Sequence, residues 1–149
     1  MIQLTHDFEA LAKAYEESGG DASALLDKRS ASLMVSHNKI LGKNEIPGVH
    51  IEGSETPTGV IARITVEPGT VVENPVHLCF GVLPKEGIQE IISQFEIGEE
   101  SKVHFMAHCS FPNALKVKHI MNARIRVGKK AEMTYSEVHY HGEFGGTEV

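Results

Sequence analysis

Val60-Ile61-Ala62-Arg63-Ile64-Thr65-Val66, Ile91-Ile92-Ser93-Gln94-Phe95-Glu96-Ile97 and Met121-Asn122-Ala123-Arg124-Ile125-Arg126-Val127 are three versions of one pattern. Their alternate positions form the ladders Val60/Ile91/Met121, Ala62/Ser93/Ala123, Ile64/Phe95/Ile125 and Val66/Ile97/Val127, in the order large, small, large, large each time. Arg63, Gln94, Arg124 and Arg126 lie between them and are polar, so each stretch reads as a strand with one face buried and one facing water. The stretches recur at offsets of 31 and 30 residues. Each is followed by a turn, Glu67-Pro68-Gly69-Thr70, Gly98-Glu99-Glu100-Ser101 or Gly128-Lys129-Lys130-Ala131, and then by a second strand beginning at Val72, Val103 or Met133. Coils that repeat with like residues in phase stack on one another and pair in parallel. The expected fold is mainly β, a parallel β-helix with coils of about 30 residues. An antiparallel sandwich also has short strands and turn signals, but nothing in it requires the small residue to return to the same place.

Upstream of the coils the periodicity changes. Phe8, Leu11, Ala12 and Tyr15 share one helical face, and Gly19-Gly20 stops the pattern where a C-cap glycine would. Asp21 can cap a second short helix whose apolar pair, Leu25 and Leu26, packs on the downstream segments. Residues 1–29 therefore read as a helical cover and residues 30–149 as the β core. From Ser30 onward, Pro47, Gly48, Gly53, Pro57 and Gly59 punctuate short segments rich in Val and Ile.

At 149 residues, 41% apolar and 23% charged, the chain has the length and composition of one ordinary globular domain. A net charge of −6 repels phosphate backbones, which argues against nucleic-acid binding. No apolar run of about 18 residues is present to span a bilayer, and Met1–Asp7 lacks the basic start and apolar stretch of a signal peptide. A cytoplasmic location without membrane partners is the expectation.

Cys79 and Cys109 are too few for a disulfide framework and form no CxxC pair, so both read as free thiols. The second strands carry the metal-ligating residue types: His77 and Cys79, His104, His108 and Cys109, then His139 and His141. An offset of 31 would stack His77 on His108, with Cys79 beside them on the outer face. Cys109 is in phase with Val103, Phe105 and Phe111 and should point inward as a small hydrophobe. Strict phase would also turn Glu137, His139 and His141 inward. That costs too much without partners, so a one-residue bulge burying Val138 and Tyr140 is expected instead, with an internal polar site as the alternative. Cys79, His77 and His108 are the weak candidates for cofactor binding, and His139 and His141 for metal. The HxH of His139 and His141 is not a cupin site, because Gly145 and Gly146 stand where that pattern has its glutamate. There is no GxSxG, P-loop, HExxH or dinucleotide fingerprint, so no catalytic residue is assigned.

Asn38-Lys39-Ile40-Leu41, Ile46-Pro47-Gly48-Val49, Pro75-Val76-His77-Leu78-Cys79-Phe80, Ala107-His108-Cys109, Lys118-His119-Ile120-Met121-Asn122-Ala123 and Glu137-Val138-His139-Tyr140-His141-Gly142-Glu143 resemble, in this order, the small proteins of the SufB/SufD family. The resemblance runs from about Asn38 to the end of the chain. It implies a right-handed parallel β-helix preceded by one or two short N-terminal helices. It also implies pairing with a second SufB/SufD-type subunit, as a homo- or heterodimer, and binding to a SufC-like ABC ATPase. Such an assembly builds iron–sulfur clusters from iron and persulfide sulfur. The family's β-helix continues for several more coils, and its cluster-related cysteine, glutamate and histidine lie there, so none is carried onto a position here. The chain is expected to be the N-terminal part of such a protein, incomplete relative to the family, or to cap its last coil with a partner.

The sequence thus points to a scaffold or accessory subunit of iron–sulfur cluster assembly, not an enzyme. It would bind no cofactor stably by itself, with a transient iron–sulfur cluster in the assembled complex. A small β-fold metal-binding or metalloenzyme domain using His and Cys ligands is the alternative. An interaction module assembled through the open coil edge is a third reading.

Overall fold

Period-two patterning places Val60, Ala62, Ile64 and Val66 in the core while Ile61 and Arg63 face out. In the computed structural model, which describes residues 2–20, 22–143 and 145–149, this stretch is the strand β4 (Gly59–Val66). It pairs in parallel with β6 (Glu86–Ile97), which pairs in parallel with β8 (Lys116–Val127). Val60, Ile91 and Met121 share one rung, Ala62, Ser93 and Ala123 the next, and the remaining two ladders follow in the same register. β3 (Val49–Glu55) adds antiparallel to β4, and β10 (Thr147–Glu148) adds parallel to β8. The order of this first sheet is β10-β8-β6-β4-β3.

A second five-stranded sheet has the order β2-β1-β5-β7-β9. It comprises β1 (Ser32–Ser36), β2 (Lys39–Asn44), β5 (Val76–Gly81), β7 (Lys102–Phe111) and β9 (Glu132–His141). β1, β5, β7 and β9 pair in parallel, and β2 lies antiparallel on β1. From β4 onward the chain alternates between the sheets. The molecule is thus mainly β, built from two mixed sheets, neither closed on itself, and the parallel pairing excludes the antiparallel sandwich. One core fills the space between the sheets, with Ile64, Phe95, Leu78 and Phe105 among its members and the Phe95 and Phe105 rings edge to face at 5.1 Å.

The turns hold the coils close. The Gly98 and Gly128 N–H groups donate to the Val66 and Ile97 carbonyls of the preceding coil, each at 2.8 Å, and a Cβ on Gly98 would collide with the Pro68 nitrogen. The second sheet departs from the expected offset. Val76 pairs with Phe105, an offset of 29 rather than 31, because ten steps along the chain separate Val66 from Val76 and only eight separate Ile97 from Phe105. The second strand of that coil accordingly begins at Val76 rather than Val72.

The helix α1 (Ile2–Glu17) lies against the outer face of the second sheet. Leu11 and Tyr15 are buried there, worth about 1.5–3 kcal/mol per large apolar side chain, with Phe8 and Ala12 packed alongside. Gly19 ends the helix with a φ of 95°. The Gly20 N–H donates to the Tyr15 carbonyl at 2.9 Å and the Gly19 N–H to the Glu16 carbonyl at 3.0 Å, a Schellman cap. The second helix is a 3₁₀ turn, Ala22–Leu25. Leu25 packs, whereas Leu26 is 71% exposed, so the expected apolar pair is split. The expected cap, Asp21, lies outside the described residues. Among the described residues no helix is long and apolar enough to cross a membrane.

Candidate functional site

Strand alternation gives the second sheet two faces, and the metal-ligating residue types divide between them. Along β5, Val76, Leu78 and Phe80 point into the inter-sheet core, while Cys79 joins Met34, Leu11, Tyr15 and Leu25 beneath α1. With the offset of 29, Cys79 stands opposite His108 and His77 opposite Met106, so the expected stacking of His77 on His108 does not occur. The helix binds both imidazoles. The Tyr15 hydroxyl is 2.7 Å from His77 Nδ1, and the Tyr15 ring lies 4.1 Å from that of His108. The Ser18 hydroxyl donates to the Tyr15 carbonyl at 2.8 Å, which leaves its oxygen to accept from His108 Nδ1 at 2.7 Å. Burial, reinforced by His77, lowers the His108 pKa and keeps that ring neutral. Burial pushes the Cys79 thiol up to about 12, so it stays protonated. Here the polar groups serve chiefly to seat the helix.

The inner face differs. Cys109 belongs to the core cluster, as its phase predicts, and the two thiols face opposite sides of the sheet. β7 and β9 pair without a register shift, with Ala107 opposite Glu137, Cys109 opposite His139 and Phe111 opposite His141. The expected bulge is absent, so Glu137, His139 and His141 take the inward phase. Burial of those groups was the reason to expect a bulge, but they line the open end of the inter-sheet space. The Glu137 and His139 side chains keep 32% and 24% of their surface exposed, so the penalty is largely avoided. A cavity of about 470 Å³ opens there, lined by His119, Met121, Tyr135, Glu137 and His139.

Cys109 Sγ, a Glu137 carboxylate oxygen and a His139 ring nitrogen lie within 4.8 Å of one another. Among the described residues no other three His, Cys, Asp or Glu side chains are gathered so closely. Glu137 accepts from the Tyr135 hydroxyl and pairs with His139 Nε2, each at 3.0 Å. Burial first, then the Glu137 charge and Cys79, push the Cys109 thiol far up. His141, two residues beyond His139, has its ring centre 6.3 Å away and stands outside the group.

His119 completes the surroundings. Gln89 and His119 occupy one inward rung of β6 and β8 and are both fully buried. The Gln89 amide nitrogen donates to the His37 carbonyl at 2.8 Å and the Gly81 carbonyl at 3.1 Å. Its oxygen must therefore face His119 Nδ1, 2.9 Å away, and that nitrogen must carry the proton. Burial, with His139 nearby, lowers the His119 pKa to about 4, so the ring is neutral. Its Nε2 is then a bare lone pair, buried and without a hydrogen-bond partner among the described residues. Sequence reading missed this rung. The signal was available, since the ladder Ile91/Met121 continues one inward step back to Gln89 and His119.

Comparison with known proteins bears on the same chain. It is 39% identical over 144 residues to an iron–sulfur cluster assembly SufBD family protein of Pyrococcus horikoshii, covering 95% of this chain and 44% of that relative. It is 30% identical over 145 residues to an iron–sulfur cluster assembly SufBD family protein of Methanocaldococcus jannaschii, covering 97% of this chain and 46% of that one. The chain therefore spans under half the length of these curated relatives. No family model and no solved structure matches it. Across nearly its whole length, then, the chain is similar to proteins named as members of the iron–sulfur cluster assembly SufBD family.

Proposed function

We propose that the protein is a scaffold subunit of iron–sulfur cluster assembly rather than an enzyme with its own turnover. It works with a SufC-like ABC ATPase and a second SufB/SufD-type subunit, and the cluster passes through the assembly as cargo. The observation that carries this reading is the likeness over 95% of the chain to a relative whose name places it in cluster assembly. In the same reading the two sheets are the sides of a right-handed parallel β-helix. The alternation of the chain between sheets and the parallel, in-register stacking of like residues support it. β8 and β9 leave apolar groups at the last coil, with Ile125 50%, Val127 47% and Val138 38% exposed, where a further coil or a partner strand pairs.

The test is anaerobic capture of the protein from its source, with identification of what accompanies it. An ABC-type ATPase held in fixed ratio is the expected result. Capture without any ATPase, in the presence and absence of ATP, would overturn the reading.

A further inference from the structure

We propose that Cys109, Glu137 and His139, with His119 as a fourth donor, form a binding site for one divalent transition-metal ion of the zinc or ferrous class. The inference goes beyond the assembly reading and does not rest on it. It also departs from the expectation that this chain holds no cofactor of its own.

Thiolate, carboxylate and two imidazoles are the donors that borderline ions such as Zn²⁺ and Fe²⁺ select. Four donors at metal–ligand distances of about 2.0–2.3 Å in a tetrahedron stand roughly 3.3–3.8 Å apart. Three of them are already gathered within 4.8 Å. For these three the remaining closure is a side-chain adjustment of about an ångström, and Glu137 and His139 have room for it on the edge strand β9, while His119 stands outside the 4.8 Å group and joins as the ion settles toward it.

His119 is the independent observation. Its ring centre lies 6.1 Å from that of His139, and it lines the same cavity. The Gln89 amide fixes its proton on Nδ1, the arrangement by which a supporting group orients a metal-binding imidazole. What remains is an unpartnered Nε2 lone pair on a fully buried side chain, an arrangement that otherwise costs stability. The ion supplies its partner.

Charge balances as well. On binding, the Cys109 S–H bond breaks, the sulfur keeps the electron pair and bonds the ion, and the proton leaves to solvent through the open cavity. Thiolate and carboxylate then neutralise the two positive charges, and both imidazoles remain uncharged ligands. No oxidant or reductant is involved.

The experiment is cobalt titration of the metal-free, reduced protein, followed by absorption, because Co²⁺ adopts zinc sites and a thiolate ligand produces a near-ultraviolet charge-transfer band. The expected result is saturation at one Co²⁺ per chain with that band, reversed by Zn²⁺. Cys109→Ser should abolish the band, and Glu137→Gln, His139→Gln and His119→Gln should each weaken binding by about tenfold or more. Cys79→Ser, on the other side of the sheet, should leave the band unchanged. Circular dichroism checks that each variant is folded, and if Cys109→Ser is not, His139→Gln on the edge strand decides. Absence of stoichiometric cobalt binding, a band that survives Cys109→Ser, or a folded His139→Gln that binds as tightly as the parent would overturn the proposal.

Discussion

The two faces of the second sheet carry the same residue types and put them to different ends. On the outer face His77, His108 and Cys79 are closed under α1, with both Nδ1 atoms engaged by Tyr15 and Ser18. On the inner face Glu137 and His139 line an open cavity with the buried Cys109 beside them, and His119, whose Nε2 has no hydrogen-bond partner among the described residues, lines the same cavity. A cysteine and a pair of histidines close in space therefore say little about chemistry by themselves. What separates the two groups is cover: α1 closes over the outer one, where His108 Nε2 is likewise without a hydrogen-bond partner among the described residues, while Glu137 and His139 of the inner one keep access to solvent.

The outer face breaks most readily at Tyr15. Tyr15→Ala removes a fully buried ring together with its hydrogen bond, and a loss of about 3–5 kcal/mol is expected in urea denaturation. Tyr15→Phe keeps the ring and removes the hydroxyl, so about 1 kcal/mol should be lost. Cobalt binding should be unchanged in Tyr15→Phe, because the helix does not line the inner cavity. Equal losses in the two variants would mean that the hydroxyl, not the ring, seats the helix.

The inner face has its own weak point at Gln89. Gln89→Leu strips His119 Nδ1 of its acceptor inside the core, and about 1–3 kcal/mol should be lost. The same variant frees the tautomer of His119, so cobalt affinity should fall by about tenfold as well. A stability loss without any change in affinity would separate Gln89 from the metal proposal and leave it a purely structural residue.

Much of this division was legible in the sequence, and the failures have physical causes. The ladders predict the pairing of β4, β6 and β8 residue for residue, because like core residues can only stack in one register. Phase alone sends Cys79 and Cys109 to opposite faces. The 29-residue offset was hidden because turn length between β4 and β5 is free to vary without touching the hydrophobic pattern. Desolvation cost argues against the inward phase of Glu137 and His139, yet the open end of the inter-sheet space leaves both side chains partly exposed to water. Tyr15 reads as one more apolar contact on a helical face, since its two imidazole neighbours come from strands 62 and 93 residues away.

Acid should weaken both faces. His108 and His119 are held neutral in the folded state, with pKa values below the ordinary 6.5, while the unfolded chain binds their protons near that value. Their contribution is present above pH 6.5 and is lost as the pH falls toward the folded pKa, about 4 for His119. The urea midpoint should therefore be lower at pH 5 than at pH 7. His108→Gln should flatten the part of that slope due to the helix-covered face, and His119→Gln the part due to the cavity. A midpoint that does not change between pH 7 and pH 5 would mean that neither ring is kept neutral by the fold.

The smallest effect is expected from His141. It shares the HxH of β9 with His139, lies on the same inward face and stands opposite Phe111, 5.7 Å from that ring. It is exposed, and its ring centre lies 6.3 Å from that of His139, outside the three-donor group. His141→Ala should change stability by no more than about 0.5 kcal/mol. Cobalt stoichiometry and the charge-transfer band should both survive it. The variant matters because it separates two explanations of any histidine dependence. If His141→Ala weakened cobalt as much as His139→Gln, the ligand would be the exposed HxH pair that the sequence displays. If only His139→Gln does so, the ion is held by the group that the fold assembles from β7, β8 and β9, with a cysteine 30 residues upstream of its histidine.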